Sequence, residues 1–309
     1  MSNSEQSGEP VWFRRRSDLP GVELRVVENS SSSWFRYSAD YDFFVPANWS
    51  GKIWHRRREA EIEMGHLVCV QPGEVLGATQ VFAAGTLRSL SIDAAVLQRL
   101  LAVHDRSVAE LRLRGVCQMS FELRARLNAV FVALCAEGSL ASVERALAEF
   151  TARLVDELVD RTQPLLRKSS EAKLAERIRD CLLEDPNVTV DLDTLARASG
   201  LSRFQVVRVF KRRYGLPPHC YQLQRRLGVA QKRLRDGVRP AQVAMELGFV
   251  DQSHLTRQFK RLFGVTPAHY ARAPYSSVAD VLPFSPAGAQ MTERRELTLS
   301  ANVGAYSGS

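Results

Sequence analysis

The stretch LARASGLSRFQVVRVFKRRYGLPPHCY (residues 195–221) returns in altered form as VAMELGFVDQSHLTRQFKRLFGVTPAHYA (residues 243–271), offset by 48 residues up to the central turn and by 49 after it. Gly200 falls on Gly248, Leu201 on Phe249, Val206 on Leu255, Arg208 on Arg257, Phe210 on Phe259, Lys211-Arg212 on Lys260-Arg261, Gly215 on Gly264, Pro218 on Pro267 and Tyr221 on Tyr270. Coincidences this dense in so short a window mean two copies of one supersecondary unit. Each copy reads as two helices around a sharp turn. Asp191 can cap a first helix holding Leu192, Leu195 and Ala196, and Pro240 suits the first position of the helix that carries Val243 and Ala244. Gly200 and Gly248 supply the turn, where a side chain would be strained at positive φ, and Leu201 or Phe249 plugs the joint. Second helices are predicted from about Arg203 to Tyr214 and from about Gln252 to Phe263, with Val206, Val209 and Phe210, or Leu255, Phe259 and Leu262, turned inward.

That leaves one polar face on each second helix: Arg203, Phe204, Val207, Arg208 and Lys211 on the first, and Gln252, Ser253, Thr256, Arg257 and Lys260 on the second. Such a helix can enter the major groove of DNA. There Arg pairs bidentately with guanine, Gln with adenine, and Phe, Val or the Thr methyl touches the thymine methyl group. Arg208 and Arg257 are the foremost candidates for base contacts. Lys211, Arg212, Lys260 and Arg261 lie a turn further on and suit phosphates, which set affinity and its salt dependence rather than sequence choice. Between the units, Pro218–Arg235 reads as one helix, and 18 residues span about 27 Å. A strut of that length can hold two recognition helices near successive major grooves, about 34 Å apart, if the duplex bends or the helices tilt.

Charge follows the repeat. Residues 1–167 carry 20 Lys/Arg against 21 Asp/Glu, residues 168–272 carry 20 against 10, and residues 273–309 carry 2 against 3. The whole positive excess therefore lies in the repeat-bearing segment, as in a polyanion-binding module fused to a domain without that property. With 309 residues, 45% apolar and 25% charged, the chain has room for two globular domains. No stretch approaches 18 uninterrupted apolar residues and no basic-then-apolar leader opens the chain, so a cytoplasmic protein without a membrane partner is expected. The five cysteines (Cys69, Cys117, Cys135, Cys181, Cys220) are odd in number and lack a CxxC pair, which fits reduced, mostly buried thiols rather than disulfides or structural zinc.

Ahead of the repeat, residues 11–90 break short apolar runs with Gly, Pro, Asn and Ser, the texture of strands and tight turns. Gln71-Pro72-Gly73-Glu74 suits a type II turn after the strand Gly65–Val70. A compact β-sandwich or barrel follows, its interior either packed solid or holding a small molecule. Aromatic residues Trp34, Phe35, Tyr37, Tyr41, Phe43, Phe44, Trp49 and Trp54 mark either a pocket wall or plain core. Apolar residues three and four apart then predict helices over Ala94–Val103, Phe121–Cys135 and Leu140–Val159. The stripe Val143, Ala146, Leu147, Phe150, Leu154, Leu158 is either a subunit contact or the face that packs on the β-layer. A domain boundary is placed in residues 160–172, and residues 273–309 read as a mostly disordered tail.

Residues 171–272 resemble the C-terminal DNA-binding domain of the AraC/XylS family of bacterial transcription regulators. The resemblance rests on ASGLSRFQVVRVFKRRYG and on RPAQVAMELGFVDQSHLTRQFKRLFGVTPAHYAR, with Ala244, Gly248, Phe249, Ser253, Leu255, Phe259, Lys260, Phe263, Gly264, Pro267 and Tyr270 where the family has them. It implies seven helices, two helix-turn-helix units on a long connecting helix, recognition of double-stranded promoter DNA, and activation through RNA polymerase. The family's readers fall on Phe204, Val207 and Arg208 and on Gln252, Ser253, Thr256 and Arg257; Val207 stands where a polar residue is common. Residues 11–165 look like the family's sensor domain, a cupin-like β-barrel with appended helices, here within 121–159, that form a homodimer. Members often carry a His soon after Pro-Gly-Glu; here Val75, Leu76 and Gly77 follow Glu74, and His55, His66 and His104 show no ligand spacing. The expectation is therefore a two-domain α+β regulator, most simply an activator responding to an uncharged or aromatic organic effector, with no metal, cofactor or catalysis. An effector-independent repressor or architectural DNA binder is the alternative. A metal-dependent cupin enzyme would need convergent ligands that this half does not display.

Overall fold

The computed structural model describes residues 9–103, 107–108, 111, 113–136, 138–159, 170–185 and 189–272. The expected boundary at 160–172 falls largely outside the described residues, and the expected tail and His104 lie outside them entirely. Along the chain come β1 (Val11–Arg15), β2 (Val22–Ser30), β3 (Trp34–Tyr37), β4 (Tyr41–Pro46), β5 (Ser50–His55), β6 (Arg58–Ile62), β7 (His66–Val70), β8 (Val75–Ala83) and β9 (Gly85–Ile92). Next are α1 (Ala94–Ala102), β10 (Val116–Gln118), α2 (Phe121–Cys135) and α3 (Leu140–Leu158). The C-terminal part is all helix: α4 (Ser170–Leu183), α5 (Leu192–Ser199), α6 (Arg203–Tyr214), α7 (Pro218–Arg235), α8 (Pro240–Glu246), α9 (Gln252–Phe263) and α10 (Pro267–Arg272).

The strands form two antiparallel sheets, one in the order β1-β2-β9-β4-β7-β10 and one in the order β3-β8-β5-β6. No ladder joins the two sheets among the described residues, so the β-rich region has the form of two facing layers. Alternation along β4 shows how they pack. Phe43 and Val45 point to one side, against Leu24, Leu90, Phe150 and Leu154, and Phe44 points to the other, against Trp49, Ile53 and Leu87. The first side is covered by α1, α2 and α3. Ser120 and Ser139 cap α2 and α3 by accepting from Leu123 N and Ser142 N. Val143, Leu147, Phe150, Leu154 and Leu158 of α3 are all buried there, and the Phe43 and Phe150 rings meet edge to face at 5.3 Å. The stripe on α3 is therefore spent inside its own domain and is not an exposed subunit contact.

The aromatic run divides rather than lining one wall. Tyr41, Phe43, Phe44 and Trp49 are core, whereas Phe35, Tyr37 and Trp54, on the outer face of the four-stranded sheet, pack on Val209, Phe210, Tyr214 and Tyr221. The edge strand β1 does the same for the second unit: Phe13 joins Phe259, Phe263 and Tyr270 in one core cluster. Gly73 has φ 87° and Glu74 N donates to Gln71 O at 3.0 Å, the turn expected between β7 and β8. All five cysteines are free, Cys69 and Cys135 buried and the others half-buried. No helix among the described residues is long and apolar enough to cross a membrane.

Candidate nucleic-acid interface

Both helix-turn-helix units assemble from local signals. Asp191 caps α5 through Thr194 N, and α5 ends at Gly200 with φ 70°; the matching Gly248 has φ 66°. Ser202 and Gln205 form a reciprocal capping box at the start of α6, and Asp251 caps α9 by accepting from His254 N. Gly215 and Gly264 close the two helices in the left-handed region, at φ 79° and 84°. The inward residues Val206, Phe210, Leu255 and Phe259 are fully buried. The predicted bounds of α6, α7 and α9 coincide with the observed ones because periodicity is joined by a side-chain cap and a closing glycine in α6 and α9, and by Pro218 at the first turn in α7.

On α6, Arg203, Phe204, Arg208, Lys211 and Arg212 are exposed and Val207 is half-buried; Phe204 shows 75% of its surface to solvent. On α9, Gln252, Ser253, Arg257, Lys260 and Arg261 are exposed, and Thr256 is half-buried with its hydroxyl donating to Gln252 O at 2.8 Å. The fold thus collects the twelve candidate contacts on two helix faces. Their ion pairing differs. Arg203 donates through Nε and Nη2 to the two carboxylate oxygens of Asp193 of α5, which keeps its guanidinium charge firmly in place. Arg212 reaches Glu171 of α4 at 3.0 Å, and Arg213 lies 3.9 Å from Glu176. Arg208, Lys211, Arg257 and Lys260 have no ion pair among the described residues.

The β-rich domain touches both units at equivalent positions, at the C-terminal ends of α6 and α9. A Cβ at Gly215 would lie 2.4 Å from the Trp54 ring, and one at the matching Gly264 would lie 2.6 Å from Val11. Tyr221 donates its hydroxyl to Gly73 O at 2.9 Å; the matching Tyr270 donates to the buried Glu23 carboxylate. Between them α7 is seated on the sheets. Gln224 accepts from Tyr37 N at 2.7 Å and donates to Phe35 O at 3.0 Å, and Lys232 lies 2.7 Å from Asp40 and 2.8 Å from Asp93. At Gly228 a Cβ would come within 3.0 Å of the Ala39 Cβ, so a glycine lets the helix lie this close.

Under α7 runs a polar row in register across four strands, Arg15↔Glu23, Glu23↔Ser91 and Ser91↔Asp42. Gln231 donates to Glu23 at 2.9 Å. Burial pushes the Glu23 carboxyl up, against the pull of Arg235, the Tyr270 hydroxyl and Arg15. Burial likewise raises Asp40 against Lys232 and Arg235. For Lys232 burial works downward, but Asp40 and Asp93 outweigh it and hold the ammonium above its usual range. Beside this row a cavity of about 20 Å³, lined by Arg25, Arg36, Asp42 and Gln231 among others, has room for a water.

Elsewhere the fold joins His55 to Glu74 at 3.0 Å, a pair no spacing in sequence reveals. Burial would raise Glu74, but hydrogen bonds from His55 and Arg56 and the Arg56 charge hold it below its usual range. Among the described residues no group of three or more His, Cys, Asp or Glu side chains is placed to hold a metal. The sequence reading missed the Asp193 and Glu171 partners, which belong to other helices. It also passed over the Ser202-x-x-Gln205 box, which an N-cap scan would have found.

Comparison with known proteins adds an independent finding. A helix-turn-helix domain family matches residues 195–273. The chain is similar to the probable transcriptional regulator LumQ of Photobacterium leiognathi, 26% identical over 152 residues that make up 48% of this chain and 61% of LumQ. It is also similar to the regulatory protein SoxS of Escherichia coli K12, 32% identical over 102 residues, 33% of this chain and 95% of SoxS. The crystal structure of ToxT from Vibrio cholerae O395 aligns over 81% of this chain and 97% of its own at 13% identity, with a TM-score of 0.47.

Proposed function

Because the chain belongs to the AraC/XylS-type family of helix-turn-helix transcription regulators, we propose that it is a sequence-specific, effector-controlled activator that reads promoter DNA with α6 and α9. One observation carries this reading: the duplicated helices present the same unpaired arginine, Arg208 and Arg257, at the same place on an exposed face, on opposite ends of α7. The base readers are Arg203, Phe204, Val207 and Arg208 in the first unit and Gln252, Ser253, Thr256 and Arg257 in the second. Lys211, Arg212, Lys260 and Arg261 meet phosphates. Residues 11–165 form the sensor domain, whose two facing sheets are an open form of the cupin-like barrel, and residues 171–272 bind DNA. Helices within 121–159 supply a homodimer contact through the faces turned away from the sheet, since the α3 stripe is buried, and RNA polymerase is the downstream partner.

Matching contacts from the β-rich domain to both units suggest how control operates. A ligand that shifts the seat of α7 on the sheets changes the orientation of both recognition helices together. Selection of duplexes from a random pool by the purified full chain tests the reading. The expected result is an asymmetric site with two conserved blocks about 10 base pairs apart. A pool that emerges without sequence preference favours the architectural alternative.

A further inference from the structure

The β5–β6 hairpin turns through Arg56 and Arg57, and Arg58 follows as the first residue of β6. Both turn residues have positive φ, 50° and 67°. A two-residue turn of this kind is filled without strain by Asn-Gly, so two arginines here are held at a steric cost. Arg56 explains its own side: its guanidinium donates to both Glu74 oxygens at 2.7 and 3.1 Å, to Leu113 O at 2.6 Å and to Gln71 at 3.2 Å. That anchor fixes the turn. Arg57 and Arg58 are exposed, and neither guanidinium has an ion pair or hydrogen-bond partner among the described residues.

The turn is also fixed relative to α6. Trp54, two residues earlier, packs against Gly215 at the end of that helix. Arg57 then lines a small cleft with Val209, Arg212 and Arg213 of α6 and with Glu171. Arg212 follows Arg208 by one turn on the same side of the helix. Arg208, Arg212 and Arg57 therefore follow one another across the domain boundary, with Glu171 paired to Arg212 in the same cleft. When a recognition helix lies in the major groove, the phosphates run along its flanks.

Resting on the DNA-binding reading above, we propose that the β5–β6 hairpin tip is part of the DNA interface, with Arg57 and Arg58 contacting backbone phosphates beside the first recognition helix. The N-terminal half, which has no net positive charge, thus contributes one local cationic contact that its composition hides.

The test is fluorescence anisotropy of the full chain on a selected duplex and on a scrambled one, over a salt series. Arg57→Gly removes the charge while supplying the residue best suited to φ 67°, so misfolding does not account for a loss. Lys260→Ala, at the other unit, is the reference. The expected result for Arg57→Gly is weaker binding to both duplexes by the same factor, about threefold, and a slope of log K against log salt shallower by about 0.9, with Arg57→Lys restoring both. Wild-type affinity and slope in Arg57→Gly, with a shallower slope in Lys260→Ala, would overturn the hairpin contact and leave the DNA reading standing. A loss confined to the selected duplex would overturn the phosphate assignment. Failure of the wild-type chain to bind either duplex would overturn both readings.

Discussion

The two helix-turn-helix units are copies in sequence and in backbone, yet their surroundings differ. In the first, Arg203, Arg212 and Arg213 are engaged by Asp193, Glu171 and Glu176, all from neighbouring helices. In the second, Gln252 stands at the match of Arg203, while Arg257 and Lys260, like the matching Arg208 and Lys211, have no ion pair among the described residues. A duplicated sequence therefore fixes the shape of a reading helix but not its readiness to bind, because readiness depends on which carboxylates its neighbours bring. On this account Arg208 and Arg257 engage DNA directly, and Arg203 and Arg212 of the first unit must exchange protein partners for phosphates or bases.

The largest expected effect is at an unpaired reader. Arg257→Ala should cost about 1–3 kcal/mol on the selected site and relax discrimination at one base pair, whereas Arg203→Ala should cost less, since Arg203 must first leave Asp193. Anisotropy with single-base variants of the site measures both, and an equal loss would break the contrast between paired and unpaired readers. Next come the matched glycines. Gly264→Ala should destabilise the chain by about 1–2 kcal/mol through its left-handed backbone, and Gly215→Ala by more, because the new Cβ meets a rigid tryptophan ring rather than a valine methyl. Denaturant midpoints rank the two.

A smaller effect concerns pH. Glu23 binds its proton more tightly folded than unfolded, so it lowers stability as pH rises from the unfolded carboxylate range through its raised folded value. Glu23→Gln should remove that contribution and flatten stability against pH in that window; an unchanged profile would show that Glu23 is not the titrating group. The smallest effect is Asp193→Asn, which releases Arg203 and should tighten DNA binding by less than about fivefold. Weaker binding instead would mean that Asp193 positions Arg203 for DNA rather than withholding it.

What the sequence made legible follows from distance along the chain. The bounds of α6 and α9 were readable because capping residues, apolar spacing and the glycines at 215 and 264 all act within a few residues, and those of α7 because apolar spacing starts at Pro218. The candidate readers followed from the same helix faces. The row Arg15, Glu23, Ser91 and Asp42 was not readable, because it exists only through the register of strands far apart in the chain. The same holds for Arg57 beside Arg212. The stripe on α3 was ambiguous for a different reason: an apolar helix face looks the same in sequence whether it covers a sheet or a second subunit. The fold decides, and the sheet covers it.

The central claim is that two copies of one helix-turn-helix unit read a specific DNA sequence. The most direct measurement is anisotropy of the full chain on its selected duplex and on a scrambled duplex of equal length, at rising salt. The account predicts a preference for the selected duplex of about 10³-fold or more that persists above about 150 mM salt. Equal affinity for the two duplexes, lost steeply and in parallel as salt rises, would contradict it.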